Sequence, residues 1–350
     1  MELSYISTKS INEGNRLSVL KLQQRLAMAQ KEVSSGRLAD VGQSLGSRTS
    51  ETVSFRQELS RLNMITDTNA LVASRLNVSQ QALGDVGDTA QSFLGTLIAA
   101  RNAETGPAVV QDAARTALIG LTDAMNTTFG GEHVFGGINT GQAPLNDYFA
   151  EPTSSNRQAL LNAFQAHFGF APDDPQVASI IPSQMQNFID TTLSALFEEP
   201  AWSADWSNAS DENVESRISV SEVIDTSANA NDVAIRKLAK AYTMLTDLGV
   251  ENMSQETFAA VVDRAITFTG EAIQDVAVVQ ADLGIAQERI TKANAKMEAQ
   301  NDIITNRING MESVDPFDAA VRVTSLMTQI ETSYALTARI QNMTILNYLT

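Results

Sequence analysis

The chain has 350 residues, with 41 acidic against 24 basic side chains, a formal net charge of −17 and no cysteine. A chain this negative lacks the clustered cations that displace counterions from phosphate, which argues against nucleic acid and against an anionic membrane as partners. Without cysteine there is no disulfide, thiolate ligand or thiol nucleophile, and with only His133 and His167 there is almost no material for imidazole catalysis or a histidine metal site. No cofactor and no metal are therefore expected.

The opening residues, MELSYISTKSINEGNRL, lack the apolar stretch of a secretory signal. No run approaches the length of a membrane span. If the protein leaves the cell, the expectation is export without a cleaved signal.

The first arm carries a seven-residue apolar period. Val19, Leu26 and Val33 are seven apart, with Leu22 and Ala29 between them, which predicts a helix. VGQSLGSRTS (41–50) breaks it. A second phase follows, with Leu62, Asn69, Leu76, Leu83, Ala90 and Leu97 on one seam and Ile65, Val72, Ser79, Val86, Phe93 and Ala100 on its companion. In AETGPA (103–108), Gly106 is expected to end that helix and Pro107 to start the next. Val110, Ala114, Ala117, Leu121 and Ala124 mark this shorter helix.

FGGEHVFGGINTGQAPL (129–145) is the stretch that most invites a chemical reading. A phosphate loop needs Lys and Ser or Thr after its second glycine run, but Ile138 and Asn139 follow Gly137. A dinucleotide fingerprint opens a helix after a strand, whereas this segment follows a helix and leads to Pro144. Glu132–His133 lacks the helical partner of a zinc protease. The reading that stands is backbone geometry. Gly130–Gly131 is expected to end a helix and Gly136–Gly137 to permit positive φ near a turn. HVFGGINT and ESRISVSEVIDTS (215–227) share β-type composition; they could pair with each other or form separate hairpins.

Residues 147–232 differ from both arms. They hold five of eight prolines, both tryptophans, and fourteen acidic residues against two basic ones, a net of −12. Asp173–Asp174 and Glu198–Glu199 are paired carboxylates, but acid–base chemistry needs two carboxyls in a shielded cleft, and these lie in proline-rich segments. Trp202 and Trp206, four apart, suit a small hydrophobic core better than a sugar platform.

The second arm mirrors the first. Val276, Leu283, Ile290, Met297, Ile304 and Met311 are seven apart, with Val279, Ala286 and Ala293 as companions. Residues 255–312 are predicted as one helix, about 90 Å long, ended by Asp315–Pro316. A last stripe carries Val323, Leu326, Ile330, Tyr334, Ile340 and Met343. Small and polar seam residues (Asn69, Ser79, Ala90, Ala286, Gln300) favour close packing of several helices over a two-stranded coil.

The expected fold is mainly α: a long antiparallel helical bundle or coiled coil built from both termini, with a β-hairpin and a small α+β inserted domain. Three regions follow. Residues 1–40 and 316–350 are the outermost, stripe-bearing helices; 41–146 and 233–315 are the inner helical arms; 147–232 is an acidic inserted domain between them. The terminal stripes have no sequence neighbours except each other. Leu17, Leu20, Leu22, Leu26 and Val33 are therefore expected to pack against Leu326, Ile330, Ile340, Met343 and Leu346, and against neighbouring copies of the chain.

This nested plan resembles the flagellin superfamily of bacterial flagella, most nearly its hook–filament junction branch. The resemblance runs through YISTKSINEGNRLSVLKLQQRLAMAQKEVSSGR, LNMITDTNALVASRLNVSQQALGDV, NTTFGGEHVFGGINTGQAPL, SRISVSEVIDTSANANDVAIRKLAKAYTML and AAVRVTSLMTQIETSYALTARIQNMTILNYL. It covers roughly 1–145 and 215–350, and leaves the insert unmatched. It implies a non-enzymatic structural subunit, extracellular in the flagellum and exported through the flagellar type III apparatus, with 1–40 and 316–350 as coiled-coil assembly helices, 41–146 and 233–315 as a helical rod domain, 147–232 facing outward, and a β-hairpin near 131–145 that Val134 and Phe135 pin to the rod and Pro144 closes. The implied partners are copies of itself in a ring or helical assembly, a neighbouring hook-associated protein, flagellin, and an export chaperone that binds the last helix. GRLADVGQSLGSR departs from the pattern: it lacks the paired-Asp, Ala-Gly-rich motif of filament flagellins and matches the junction branch's own variant poorly. Filament flagellin stays open as an alternative, as does a cytoplasmic coiled-coil scaffold; an enzyme has no supporting constellation.

Overall fold

The computed structural model describes residues 8–342. The chain divides into two compact units, one of residues 1–63 and 298–350 and the other of residues 64–297. Two long helices, α3 (Thr49–Arg101) and α8 (Gln255–Glu312), contribute residues to both. The predicted bounds of the long second-arm helix and the observed ones coincide.

The first unit contains α1 (Thr8–Ser35), the short α2 (Val41–Leu45) and α9 (Pro316–Asn342), together with the start of α3 and the end of α8. Helices α1 and α9 run antiparallel. Gln23 donates to the Tyr334 hydroxyl at 3.0 Å, and Arg322 pairs with Glu32 at 3.0 Å. Val19, Ala29 and Ala319 are buried along this pairing.

In the second unit α3 and α8 are also antiparallel, as the contacts Asn77 with Gln287, Gln80 with the Gln280 carbonyl and Arg101 with Asp263 show. Leu76, Leu83, Ala90 and Leu97 of the predicted α3 seam are buried, as are Val276, Leu283 and Ile290 of the α8 seam. Helices α4 (Pro107–Met125) and α7 (Val233–Asp247) pack on each other and on this pair. Phe93 meets Tyr242 edge to face at 5.0 Å. The 147–232 segment supplies α5 (Ser155–Phe168), α6 (Pro182–Phe188) and two short π-turns, Ile189–Leu193 and Trp202–Trp206. Its aromatic residues do not form a separate core: Tyr148, Phe164, Phe188 and Trp202 belong to the same buried cluster as the helices. Trp202 and Trp206 stack at 5.4 Å inside it.

Gly106 does not end α3, contrary to expectation. Gly106 has φ −84° and is the N-cap of α4, with Pro107 in its first turn. The residue that closes α3 is Ala103, at φ 61°. Ala103 N–H donates to Ala100 O at 3.0 Å and Glu104 N–H to Ala99 O at 2.9 Å, the two-bond closure that places one residue in the left-handed region. Closure is finished before the chain reaches Gly106. An alanine there carries a penalty that glycine lacks, so Ala103→Gly is expected to raise stability by about 1 kcal/mol. Denaturant titration checks this, and a fall in stability would contradict the assignment.

The 129–145 stretch also departs from expectation. Helix α4 ends at Met125, where the Asn126 side chain both accepts from Leu145 N–H and donates to Leu145 O, each at 2.9 Å. Gly130 and Gly131, at φ 63° and 89°, instead form the two-residue turn of a hairpin between β1 (Thr128–Phe129) and β2 (Glu132–His133). That turn type needs positive φ at both positions. The hairpin thus lies at 128–133, ahead of the expected position.

Beyond it the chain threads between two other segments. Ser210 N–H donates to Gly136 O and Ile138 N–H to Glu212 O, both at 3.0 Å, while Ala230 N–H donates to Phe135 O at 2.9 Å. Gly137 sits at φ 58°, and a Cβ there would lie 2.5 Å from the carbonyl oxygens of Ser210 and Glu212. Val134 and Phe135 are fully buried, and buried Pro144 accepts from Asn208 N–H at 2.9 Å. The second β-rich stretch forms its own hairpin, β3 (Glu215–Ser219) with β4 (Glu222–Asp225).

Candidate assembly surface

Where α1 and α8 end, within the first unit, the backbone is knitted across two breaks. Gly36, at φ 68°, ends α1 and donates to Glu32 O at 2.8 Å. Leu38 N–H donates to Glu312 O at 2.8 Å and Val314 N–H to Gly36 O at 3.0 Å, closing a bridge between Arg37 and Ser313. Two buried carboxylates flank this bridge. Glu32 accepts from Ala39 N–H at 3.3 Å and from Arg322. Glu312 accepts from Arg56 Nε at 3.2 Å and Nη2 at 2.5 Å, and these bonds hold the Arg56 guanidinium above its ordinary pKa.

The Arg56–Glu312 pair is lopsided: the Glu312 side chain is 2% exposed and that of Arg56 52%. Removing the arginine strands a buried charge, while removing the carboxylate returns the guanidinium to water. Arg56→Leu is expected to cost about 3 kcal/mol and Glu312→Gln about 1 kcal/mol. Denaturant titration of the two variants checks this; equal losses would show that burial does not govern the pair.

Above the joint, the sequence-selected residues divide into two sets. Leu22, Leu26, Leu326 and Ile330 are half-buried along the α1–α9 pairing. Leu17, Leu20 and Val33 are exposed, at 53%, 47% and 41%. The Ile340 side chain, Met343 and Leu346 lie outside the described residues. Sequence reasoning missed the most exposed members of the surface. Phe317 is 83% and Val321 68% exposed, and Met327 and Leu336 are exposed further along α9, as is Tyr334 of the predicted stripe, whose hydroxyl accepts from Gln23. The spacing of Phe317 and Val321, four apart, was legible as a helical face but was overshadowed by the stripe that faces α1. Exposed apolar groups of this number on one helix pair suit burial against another protein surface.

Asp174, Glu198, Glu199 and His133, which suggested chemistry, have structural partners. Asp174 caps a short helical turn through Gln176 N–H at 2.8 Å. Glu198 pairs with Arg236 at 3.4 Å, and Glu199 accepts from Ser203 Oγ at 2.5 Å. His133 Nδ1 lies 2.9 Å from Asn126 O. Among the described residues no three His, Cys, Asp or Glu side chains are placed to hold a metal, and no helix is long and apolar enough to cross a membrane.

Two family models match the chain. The bacterial flagellin N-terminal helical region matches residues 6–140 and the bacterial flagellin C-terminal helical region matches residues 266–349. A solved structure described provisionally as a flagellar hook-associated protein, from Vibrio parahaemolyticus, superposes with a TM-score of 0.54 at 10% identity, covering 77% of this chain and 99% of that one. At that identity the likeness is one of fold. Comparison with curated proteins returns no match.

Proposed function

Because the chain belongs to the flagellin superfamily, we propose that it is the subunit that joins the flagellar hook to the filament. The coarser role follows from the family: a structural component of the bacterial flagellum, not an enzyme, working in association with copies of itself and other flagellar components. The fold shared with the provisionally described Vibrio protein, along nearly the whole of that protein, is in keeping with the finer role. The closing residues TILNYL (344–349), which resemble the junction branch, support it.

In this reading the exposed residues of α1 and α9 are covered by neighbouring copies, and the hook side and filament side are met by a second hook-associated protein and by flagellin. Leu17, Leu20 and Val33 are already about half covered, so burying the rest of each is worth roughly 1 kcal/mol, and burying the more exposed Phe317 roughly 2 kcal/mol. The chain would travel through the flagellar type III apparatus without a cleaved signal, its last helix held by a chaperone. Residues 147–232 would face outward.

Deletion of the gene tests the junction role. The expected result is complete hooks without filaments, with flagellin monomers shed into the medium. Full filaments in the deletion strain would overturn it, and antibody labelling along the whole filament would assign the chain to filament flagellin instead.

A further inference from the structure

We propose that Asn69 couples the register of α3 against α8 to the position of the β3–β4 hairpin. Asn69 is fully buried and stands on an apolar seam where a leucine would fit. Its Nδ2 donates in two directions, to Asn294 Oδ1 of α8 at 2.7 Å and to Ile218 O of the hairpin at 2.9 Å. Ile218 is the residue the strand ladder skips: Arg217 pairs with Val223 and Ser219 with Glu222. A bulge leaves such a residue without a cross-strand partner, and Asn69 supplies its carbonyl with a donor.

The hairpin has a second tether. Arg289 of α8 donates to Glu222 Oε1 through Nε at 3.1 Å and Nη2 at 2.8 Å. Helix α3 therefore holds the hairpin at its bulge, α8 holds it near its turn, and Asn69–Asn294 holds the two helices together. A slide of one residue along a helix is about 1.5 Å, and the usable range of an N–H···O bond is only about 0.5 Å. Such a slide breaks at least one side of this triangle. The hairpin tip, with Val220 and Val223 exposed, then shifts with the helices.

The coupling is a property of the single chain and does not depend on the junction role. Amide hydrogen exchange across residues 215–226 of the full chain tests it, with Asn294→Ala and Asn69→Ala as variants. Both are expected to speed hairpin exchange by about tenfold or more, with α4 and α7 amides unchanged. If Asn294→Ala leaves hairpin exchange at the native rate, the coupling is overturned, even if Asn69→Ala speeds it, because Asn69 would then be an anchor only. Should Asn69→Ala disturb the whole unit, Asn294→Ala alone decides.

Discussion

A chain carrying Leu17→Glu and Leu20→Glu is expected to keep the unfolding midpoint of the native protein and to lose incorporation into flagella. Both side chains are about half exposed, so the folded chain gains little from them. Glutamate is also a good helix former, and the substitutions leave α1 intact in propensity. If these positions are covered by a neighbouring copy, each substitution removes roughly 1 kcal/mol of burial, the share of each side chain still exposed, and forces a carboxylate out of water. In a repeating assembly that loss recurs at every subunit. Leu26→Ala provides the contrast: Leu26 is half-buried on the α1–α9 pairing, so its loss should weaken the first unit of the isolated chain as well. The measurements are complementation of motility in a deletion strain and thermal unfolding of the purified protein. Normal motility with both glutamates present would mean that this face is not an assembly surface. A large fall in the unfolding midpoint would mean that the two leucines serve the chain's own fold.

The long helices were legible because heptad spacing is a direct projection of their contact. The seam from Leu62 to Leu97 could be read off the sequence, and its members are buried. The terminal stripes were legible as apolar, but spacing alone does not say which apolar face meets the chain itself. Leu22 and Leu17 look equivalent in sequence, yet one is half-buried and the other exposed. The glycines were harder, because a glycine marks conformational freedom without saying which element uses it. Gly130–Gly131 turns a hairpin, Gly106 begins a helix, and the left-handed end of α3 falls on an alanine. Asn69 was legible only as an oddity in the seam. Its reason, a skipped carbonyl 149 residues away in sequence, exists only once the hairpin has folded. The paired carboxylates and the Glu–His dipeptide suggested chemistry because side-chain identity is visible in a sequence and partners are not.

The largest loss of stability from a single methyl group is expected at Gly249. The residue sits at φ 74° in the turn after α7, and a Cβ there would lie 2.0 Å from the carbonyl oxygen of Pro172. Alanine must bear the left-handed penalty of about 1–2 kcal/mol and also push aside the backbone carbonyl of buried Pro172. Together these place Gly249→Ala at about 3–5 kcal/mol of destabilisation, in the exceptional range for one substitution. Gly120→Ala is the control with the opposite sign. It lies within α4 with nothing within 4 Å of its missing Cβ, so alanine should stabilise by roughly 0.5–1 kcal/mol. The pattern of the Gly249→Ala loss carries further information. Pro172 belongs to the 147–232 segment and Gly249 to the helical arm that follows it. Because Trp202 and Trp206 share one buried cluster with α4 and α7, tryptophan fluorescence and far-ultraviolet dichroism should shift together on denaturation of the variant. Early loss of the tryptophan signal with helicity retained would instead show that the acidic segment unfolds on its own. The continuous cluster would then be a contact between two separable cores.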